Sequence, residues 1–377
     1  MEVQSIEIQK KKSKLQLAQD EAQAATNQTN KKIEELGAQS GELCDELNNI
    51  QGLFDEIRNM PSDKKLECEK LRKIRLNWKQ QAEKIESDYK AAAVKEAGAG
   101  AAGVGMGVAV MALGPTAAMG VATTFGVAST GTAISALSGA AVTNAALAWL
   151  GGGALAAGGG GMAAGNAFLA LAGPVGWAIA GVALLASGIM FWKSSSDKKN
   201  IENTFTLISN RDVDSYKLAI VELAERIERI GNERELLKEA IVKVKSFGTD
   251  YEAMTEAQQY ELGAYVNLML SSTQLLVNPI KGLQPKFSEN DFDGFLNWSE
   301  RKADKKICDD YKRLIISFAN LLYRVDLSER DKKLLYKAFK RNKKMLEALD
   351  TKKKDFTIEI MDIVLEALDY SYSLQSA

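Results

Sequence analysis

A run of 96 residues without a charge is the feature that most constrains how this chain folds. No Asp, Glu, Lys or Arg occurs between Glu96 and Lys193, although the other 281 positions hold all 97 charged residues. A helix that is apolar on every side has no face to present to water, so such a segment must be buried in protein or in lipid. The chain therefore divides into residues 1–96, the uncharged run 97–192, and residues 193–377.

The two charged regions are predicted to form the long amphipathic helices of an all-α protein. Apolar residues recur every three or four positions across 33–57, 71–89 and 220–244, as in coiled coils, with polar exceptions at Ser40 and Arg234. We expect an elongated helical bundle with coiled-coil-like long helices. In this bundle the N-terminal helices of 1–96 are completed by the C-terminal helices of 193–377, and a Gly/Ala-rich apolar helical hairpin is inserted between them.

Local sequence predicts where these helices break. The stretches 59–65, 209–215 and 278–294 are polar or contain proline, and the last is the longest irregular connector. Two further helices are expected at roughly 295–325 and 328–372. No stretch shows the alternation of a β-strand.

The composition argues against an enzyme, a cofactor site and a metal site. Histidine is absent, so the commonest general base and metal ligand is missing. The cysteines Cys44, Cys68 and Cys308 lack CxxC spacing and are expected to be free thiols. The GxGxxG letters at 98–103 follow a helical segment rather than a strand, so they do not predict nucleotide binding. Nucleic acid is disfavoured as a partner because the net charge is −1 and both charged regions are balanced.

Small residues spaced by four within the run predict close helix packing in a membrane. Lipid offers no hydrophobic drive to helix association, so membrane helices associate through faces of small residues. The candidate packing positions are Ala99, Gly103, Gly107, Gly131, Ser135, Gly139, Gly173 and Gly181. Threonines and serines concentrated in 116–144 are candidates for a pore lumen or an oligomer contact.

Proline and glycine divide the run into segments long enough to cross a bilayer. The predicted helix breaks are Pro115 and Pro174. The predicted hairpin tip consists of Gly151, Gly152, Gly153, Gly158, Gly159, Gly160 and Gly161. The pieces 97–114, 116–150 and 162–192 each reach the roughly 18 residues that a crossing needs. The number of membrane crossings is left between two and four.

Aromatic and cationic residues near the ends of the segments fit interfacial anchors, the alternative being a tryptophan that happens to end a core helix. The candidate anchors are Lys90, Lys95, Trp149, Phe191, Trp192 and Lys193. The run holds 22 of the 30 glycines, and Ala and Gly favour insertion less than leucine does. Such a segment is marginal in both solvents, so it could be folded away in a soluble protein and inserted later.

The N-terminal residues lack the apolar region of a secretory signal peptide. We therefore expect a protein that is soluble when synthesised and membrane-associated in its active state, with any export following a route without such a signal. Basic runs at 10–14, 301–306 and 341–354 are interpreted as solvated helix surface, because neighbouring acids balance them.

The layout resembles the α-helical pore-forming toxins, the group that contains cytolysin A, the Bacillus Hbl and Nhe components and the tripartite haemolysins. Those proteins insert a hydrophobic head between two long helices of a helical tail, as the run 97–192 is placed here between two charged regions. A weaker resemblance is to apolipoprotein L, which also carries a glycine-rich apolar hairpin between amphipathic helices. The resemblance implies membrane insertion.

Three functions are compatible with this sequence. The first is conditional membrane insertion and permeabilisation, with the lipid bilayer as partner and with assembly into a homo-oligomer or with other toxin subunits. The second is a constitutive helical membrane protein that acts on the cytoplasmic side as a scaffold or as an immunity or stress effector. The third is a soluble coiled-coil structural protein with a buried Gly/Ala core.

Overall fold

The computed structural model describes residues 13–99, 115–125, 194–341, 346 and 351–376. All regular structure in these ranges is helical, and the long helices confirm the predicted elongated all-α bundle. The α-helices are α1 Lys14–Glu56, α2 Ser62–Ala99, α3 Pro115–Phe125, α4 Ser195–Phe247, α5 Glu256–Val277, α6 Glu289–Leu296, α7 Lys305–Asp310, α8 Lys312–Leu322, α9 Glu329–Arg341 and α10 Ile358–Ser376. Short 3₁₀ helices cover Tyr251–Ala253 and Lys281–Leu283.

Two antiparallel helical hairpins, α1 with α2 and α4 with α5, lie side by side with their turns at the same end of the bundle. Lys217 of α4 pairs with Glu21 of α1 (2.7 Å). Further along both helices, Arg234 donates to Gln39 (2.7 Å) and pairs with Glu42. Because residue numbers rise together along both helices, α1 and α4 run parallel. The 53 residues of α4 give it a length of about 80 Å.

The tips of the two hairpins are joined by backbone hydrogen bonds. The Arg58 N–H donates to the Thr249 carbonyl (2.9 Å), and the Tyr251 N–H donates to the Arg58 carbonyl (3.0 Å). The Asn59 amide adds a bond to the Asp250 carboxylate (3.0 Å). The predicted break at 59–65 therefore lies in the turn between α1 and α2, which is held against the matching turn of the second hairpin.

The buried residues of the long helices follow the predicted spacing of three or four positions. On α4, a residue every seven positions is buried: Tyr216, Leu223, Ile230, Leu237 and Val244. The polar residues between them bind α5. Arg226 donates to the carbonyl oxygens of Leu275 (2.7 Å) and Asn278 (2.9 Å), and Glu233 accepts a hydrogen bond from Ser271 (3.0 Å). Polar positions along the seam therefore tie the two helices of the hairpin together.

The helices after residue 289 form a second, aromatic core with the first turns of α4. The rings of Phe205, Phe318, Phe339 and Phe356 meet there, with Phe318 and Phe356 stacked at 5.4 Å between centroids. The prediction of two long helices at 295–325 and 328–372 is wrong, because among the described residues the backbone at 297–304 and 351–357 is not helical and divides both stretches into shorter helices. The Asp304 side chain caps α7 by accepting from the Ile307 N–H, which starts a new helix there.

The predicted break at 209–215 is also wrong, since α4 continues through it. One of its polar residues, Arg211, reaches the second core instead of forming a turn. Arg211 donates to the carbonyl oxygens of Leu321 (2.9 Å) and Tyr323 (2.6 Å) at the end of α8, and to Asp212 Oδ1 (2.7 Å). Asp212 is 1 % exposed, and its Oδ2 has no hydrogen-bond partner. The polar stretch therefore joins the two cores.

The buried carboxyl group of Asp212 makes the stability of the folded protein depend on pH. Burial raises the pKa of Asp212 to about 6 from an ordinary value of 3.8, against the opposing charges of Arg211 and Lys286. Between pH 4 and 6 the folded protein then holds a proton that the unfolded chain has lost, so stability falls as pH rises through this interval. Because of this proton, we expect the wild-type free energy of unfolding to fall by about 2 kcal/mol between pH 4 and pH 7. Asp212→Asn should lack this decrease.

Urea unfolding followed by circular dichroism at pH 4, 5, 6 and 7 measures this difference. Every other carboxylate is common to both proteins, so the difference between their unfolding free energies isolates Asp212. A difference that stays constant across these pH values contradicts the prediction.

Candidate functional site: the seat of helix α3

Apart from residues 97–99 at the end of α2, helix α3 is the described part of the uncharged run, and it lies in a groove of the bundle. The groove is formed by α1, α2 and α5, and we call it the seat of α3. Pro115 begins the helix and is exposed, whereas all residues of 120–124 are buried. Ala118, Val121 and Ala122 are each 1 % exposed. Protein therefore covers this segment, as required for a helix that has no polar face.

Glycines allow the backbones of α1 and α3 to touch where they cross. A Cβ atom on Gly37 would overlap the carbonyl oxygen of Thr116, and one on Gly120 would overlap the carbonyl oxygen of Ile33. One turn along α1, a Cβ on Gly41 would lie 3.1 Å from the Met119 sulfur. This crossing shows close packing through small residues, at Gly37 and Gly120 rather than at the positions predicted for packing in a membrane. Here the packing joins the run to the bundle.

A chain of buried hydrogen bonds links α3 to both helices of the first hairpin. The Trp78 indole N–H of α2 donates to the Thr123 hydroxyl (3.1 Å), which donates to the Ser40 hydroxyl of α1 (3.1 Å). All three side chains are 0 % exposed. Ser40, the polar exception in the predicted apolar spacing of α1, is therefore the hydrogen-bond acceptor for α3.

The C-terminal end of α3 is held by the connector that follows α5. The Thr124 carbonyl accepts hydrogen bonds from the Ile280 N–H (2.8 Å) and the Gln284 side-chain amide (3.3 Å). Ile280 and Leu283 are buried in the same core as α3. The connector thus closes the seat and links it to the second hairpin.

A buried cation lies one turn from the Trp78 hydrogen bond. Arg75 is 2 % exposed, and it donates to the side-chain oxygens of Gln51 (3.0 Å), Asn48 (3.4 Å) and Thr273 (3.5 Å). Burial lowers the pKa of this guanidinium. Among the described residues no carboxylate pairs with it at salt-bridge distance. An unpaired buried charge costs several kcal/mol relative to apolar packing, so it reduces the stability of the bundle beside the seat.

Most of the predicted site residues lie outside the described part of the chain. These are Gly103, Gly107, Gly131, Ser135, Gly139, Gly173, Gly181, Pro174, Trp149, Phe191, Trp192, Lys193 and the tip glycines Gly151, Gly152, Gly153, Gly158, Gly159, Gly160 and Gly161. Lys90, Lys95 and Ala99 belong to the last turns of α2. Pro115 begins α3, where its fixed φ and missing N–H suit the first helical position.

The sequence interpretation missed the residues that form the seat. Gly37, Gly41 and Ser40 were available signals, because two glycines four apart and a hydroxyl interrupt an otherwise apolar stripe. Thr123 and Thr124, predicted for a lumen or an oligomer contact, are 0 % exposed and bonded within the protein.

The described residues offer little reactive chemistry. In these ranges no group of three metal-ligating side chains comes together. Cys44, Cys68 and Cys308 are buried free thiols, and burial raises the pKa of Cys68 and of Cys308 to about 11. Such thiols are poor nucleophiles at neutral pH.

Across the described ranges, no helix is both long and apolar enough to cross a bilayer. No protein-family model matches the chain, and neither a curated protein nor a solved structure is similar to it. The resemblance to α-helical pore-forming toxins accordingly stays a prediction from the arrangement of the sequence.

The glycine crossing predicts opposite effects for one substitution at two positions of α1. Gly37→Ala should lower the free energy of unfolding by about 2 kcal/mol, because the added methyl group must push α3 away from α1. Gly52→Ala should raise it by up to about 1 kcal/mol, since open space surrounds Gly52 and alanine favours a helix. Urea unfolding followed by circular dichroism compares them. Equal effects would show that α3 does not rest on Gly37.

Proposed function

We propose that this protein inserts conditionally into membranes and permeabilises them. The observation that supports this most is the burial of α3, which belongs to the uncharged run yet is covered by the bundle. The proposal takes this as the stored state of the run. Contact with lipid or with a partner subunit would release the run, and several protomers would then pack their small-residue faces in the bilayer.

The way α3 is held supports its release. The helix buries alanine, glycine, threonine and one valine rather than leucine or aromatic side chains. Burial contributes about 0.8 kcal/mol per CH₂ group, so the apolar contribution of such residues is small. Its hydrogen bonds to Ser40, Trp78 and the connector fix its position, and the buried Arg75 charge gains solvation if the bundle opens. The seat thus fits α3 closely in shape but holds it with a modest free energy.

The burial of α3 favours conditional insertion over the constitutive membrane protein. A constitutive span has no need of a groove in the charged bundle, whereas a stored segment requires one. The structural coiled-coil alternative also accommodates a buried α3, so membrane leakage is the property that separates it from insertion.

A disulfide between α1 and α3 tests release directly. The Ser40 and Thr123 hydroxyl oxygens lie 3.1 Å apart, so Ser40→Cys with Thr123→Cys places two sulfurs within bonding reach. We expect the oxidised double variant to release no dye from liposomes above the protein-free background. Reduction with dithiothreitol should restore leakage.

The single variants Ser40→Cys and Thr123→Cys, treated with the same oxidant, are the matched controls and should leak in both states. Leakage by the oxidised double variant would mean that α3 need not leave its seat. If the wild-type and reduced proteins leave phosphatidylcholine vesicles and phosphatidylserine-containing vesicles intact, at neutral and at acidic pH, the permeabilisation proposal is rejected.

A charge in the predicted tip tests the insertion of the run. Gly159→Glu should abolish dye release and leave the circular dichroism spectrum helical, because a carboxylate must then approach or cross the bilayer. Gly231→Glu adds the same charge to α4, where open space surrounds the glycine, and should remain lytic. A fully lytic Gly159→Glu variant would place the leading tip elsewhere in the run.

A further inference from the structure

Five exposed lysines form one positively charged area on the second core, which we call the basic surface. It consists of Lys333 and Lys337 on α9 and of Lys352, Lys353 and Lys354 in the turn before α10. Lys333 and Lys337 are one helical turn apart and share a face of α9. The opposite face, with Leu334, Leu335 and Phe339, is buried in the second core.

An aromatic stack brings the two parts of the basic surface together. The Tyr336 and Phe356 rings are stacked with centroids 5.5 Å apart. The turn that carries Lys352–Lys354 is closed by hydrogen bonds from the Asp355 and Phe356 N–H groups to the Lys352 carbonyl (2.9 and 3.2 Å). The turn lysines are therefore held beside the α9 residue that precedes Lys337.

These lysines have no acidic partners within the described part of the chain. No salt bridge or side-chain hydrogen bond involves any of the five, whereas Lys332, next to them, is bonded to Glu329 and Asp362 (2.7 Å each). No acidic residue occurs from Lys332 to Arg341.

The basic surface also lies near the point where the uncharged run joins α4. Arg330 pairs with Asp197 (2.7 Å), and Asn200 donates to Asp331 (3.3 Å), so α9 begins beside the first turn of α4. Further along, Phe339 packs on Phe205, which shows that α9 continues parallel to α4. Seven residues of helix separate Arg330 from Lys337, a distance of about 10 Å.

We propose that the basic surface binds the anionic headgroups of a membrane and so holds the chain with the C-terminal end of the uncharged run against the bilayer. Clustered lysines attract acidic lipids within a Debye length of the surface. The proposal rests on the membrane insertion proposed above and supplies its first step, recruitment of the stored form. Lipid, rather than a phosphorylated protein, is the favoured partner because the surface adjoins a segment of 96 uncharged residues.

Binding to vesicles, separated from leakage, tests this proposal. The full chain is floated with phosphatidylcholine vesicles and with the same vesicles containing phosphatidylserine, at low and high salt. One lysine near an anionic surface strengthens binding roughly fivefold. Lys352→Gln/Lys353→Gln/Lys354→Gln should therefore bind phosphatidylserine vesicles at least about tenfold more weakly than the wild type. Lys333→Gln/Lys337→Gln should weaken binding in the same direction, and high salt should reduce the difference.

The matched control removes the same charge at the other end of the bundle. Lys65, Lys70 and Lys73 of α2 are exposed and unpaired within the described residues, and Lys65→Gln/Lys70→Gln/Lys73→Gln should bind like the wild type. Equal weakening by this control, unchanged binding by both test variants, or wild-type binding that is independent of phosphatidylserine would each overturn the proposal. Lysine-dependent binding without dye release would retain the basic surface and reject permeabilisation.

Discussion

The backbone contact between Gly37 and Gly120 is the interaction on which the packing of α3 against the bundle depends. Only glycine at both positions lets a carbonyl oxygen of each helix occupy the place of a Cβ atom on the other. At this separation the hydroxyls of Thr123 and Ser40 reach each other, and Trp78 reaches Thr123. A wider spacing would leave these buried polar groups unpaired, which costs about 1–3 kcal/mol for each group. The close crossing of the helices and the buried hydrogen bonds between Trp78, Thr123 and Ser40 therefore depend on each other.

The architecture around this contact follows from the arrangement of two parallel hairpins. Their tips are fixed to each other through Arg58, Thr249 and Tyr251. The helices that border the uncharged run, α2 before it and α4 after it, extend away from this joined end. In the sequence the run thus joins the two helices at the end of the bundle opposite the joined tips.

The sequence predicted the long helices well because their periodicity is carried by many residues. A stripe with one buried residue per seven, as on α4, survives single polar substitutions, and the bundle could be read from it. The seat of α3 and the junction at Asp212 could not be predicted in this way, because each depends on which distant segment contacts a given polar residue. Ser40 gave a local signal of polarity but no indication of Thr123 as its partner. Arg211 and Asp212 similarly suggested a turn, since the Leu321 carbonyl that Arg211 binds lies 110 residues further along the chain.

The composition of the run is compatible both with the burial seen for α3 and with the proposed insertion in lipid. A leucine-rich helix would gain roughly 1.5–3 kcal/mol for each buried leucine in either apolar environment, so a groove that held it would release it slowly. Alanine and glycine gain less, and specificity must then come from close backbone approach and from hydroxyl groups, as at the seat of α3. The same small residues allow helices to pack closely in lipid, where apolar area gives no preference between helix contact and lipid contact. Under the proposed function, storage and assembly would make the same demand on the sequence, and this would account for the concentration of glycine in the run.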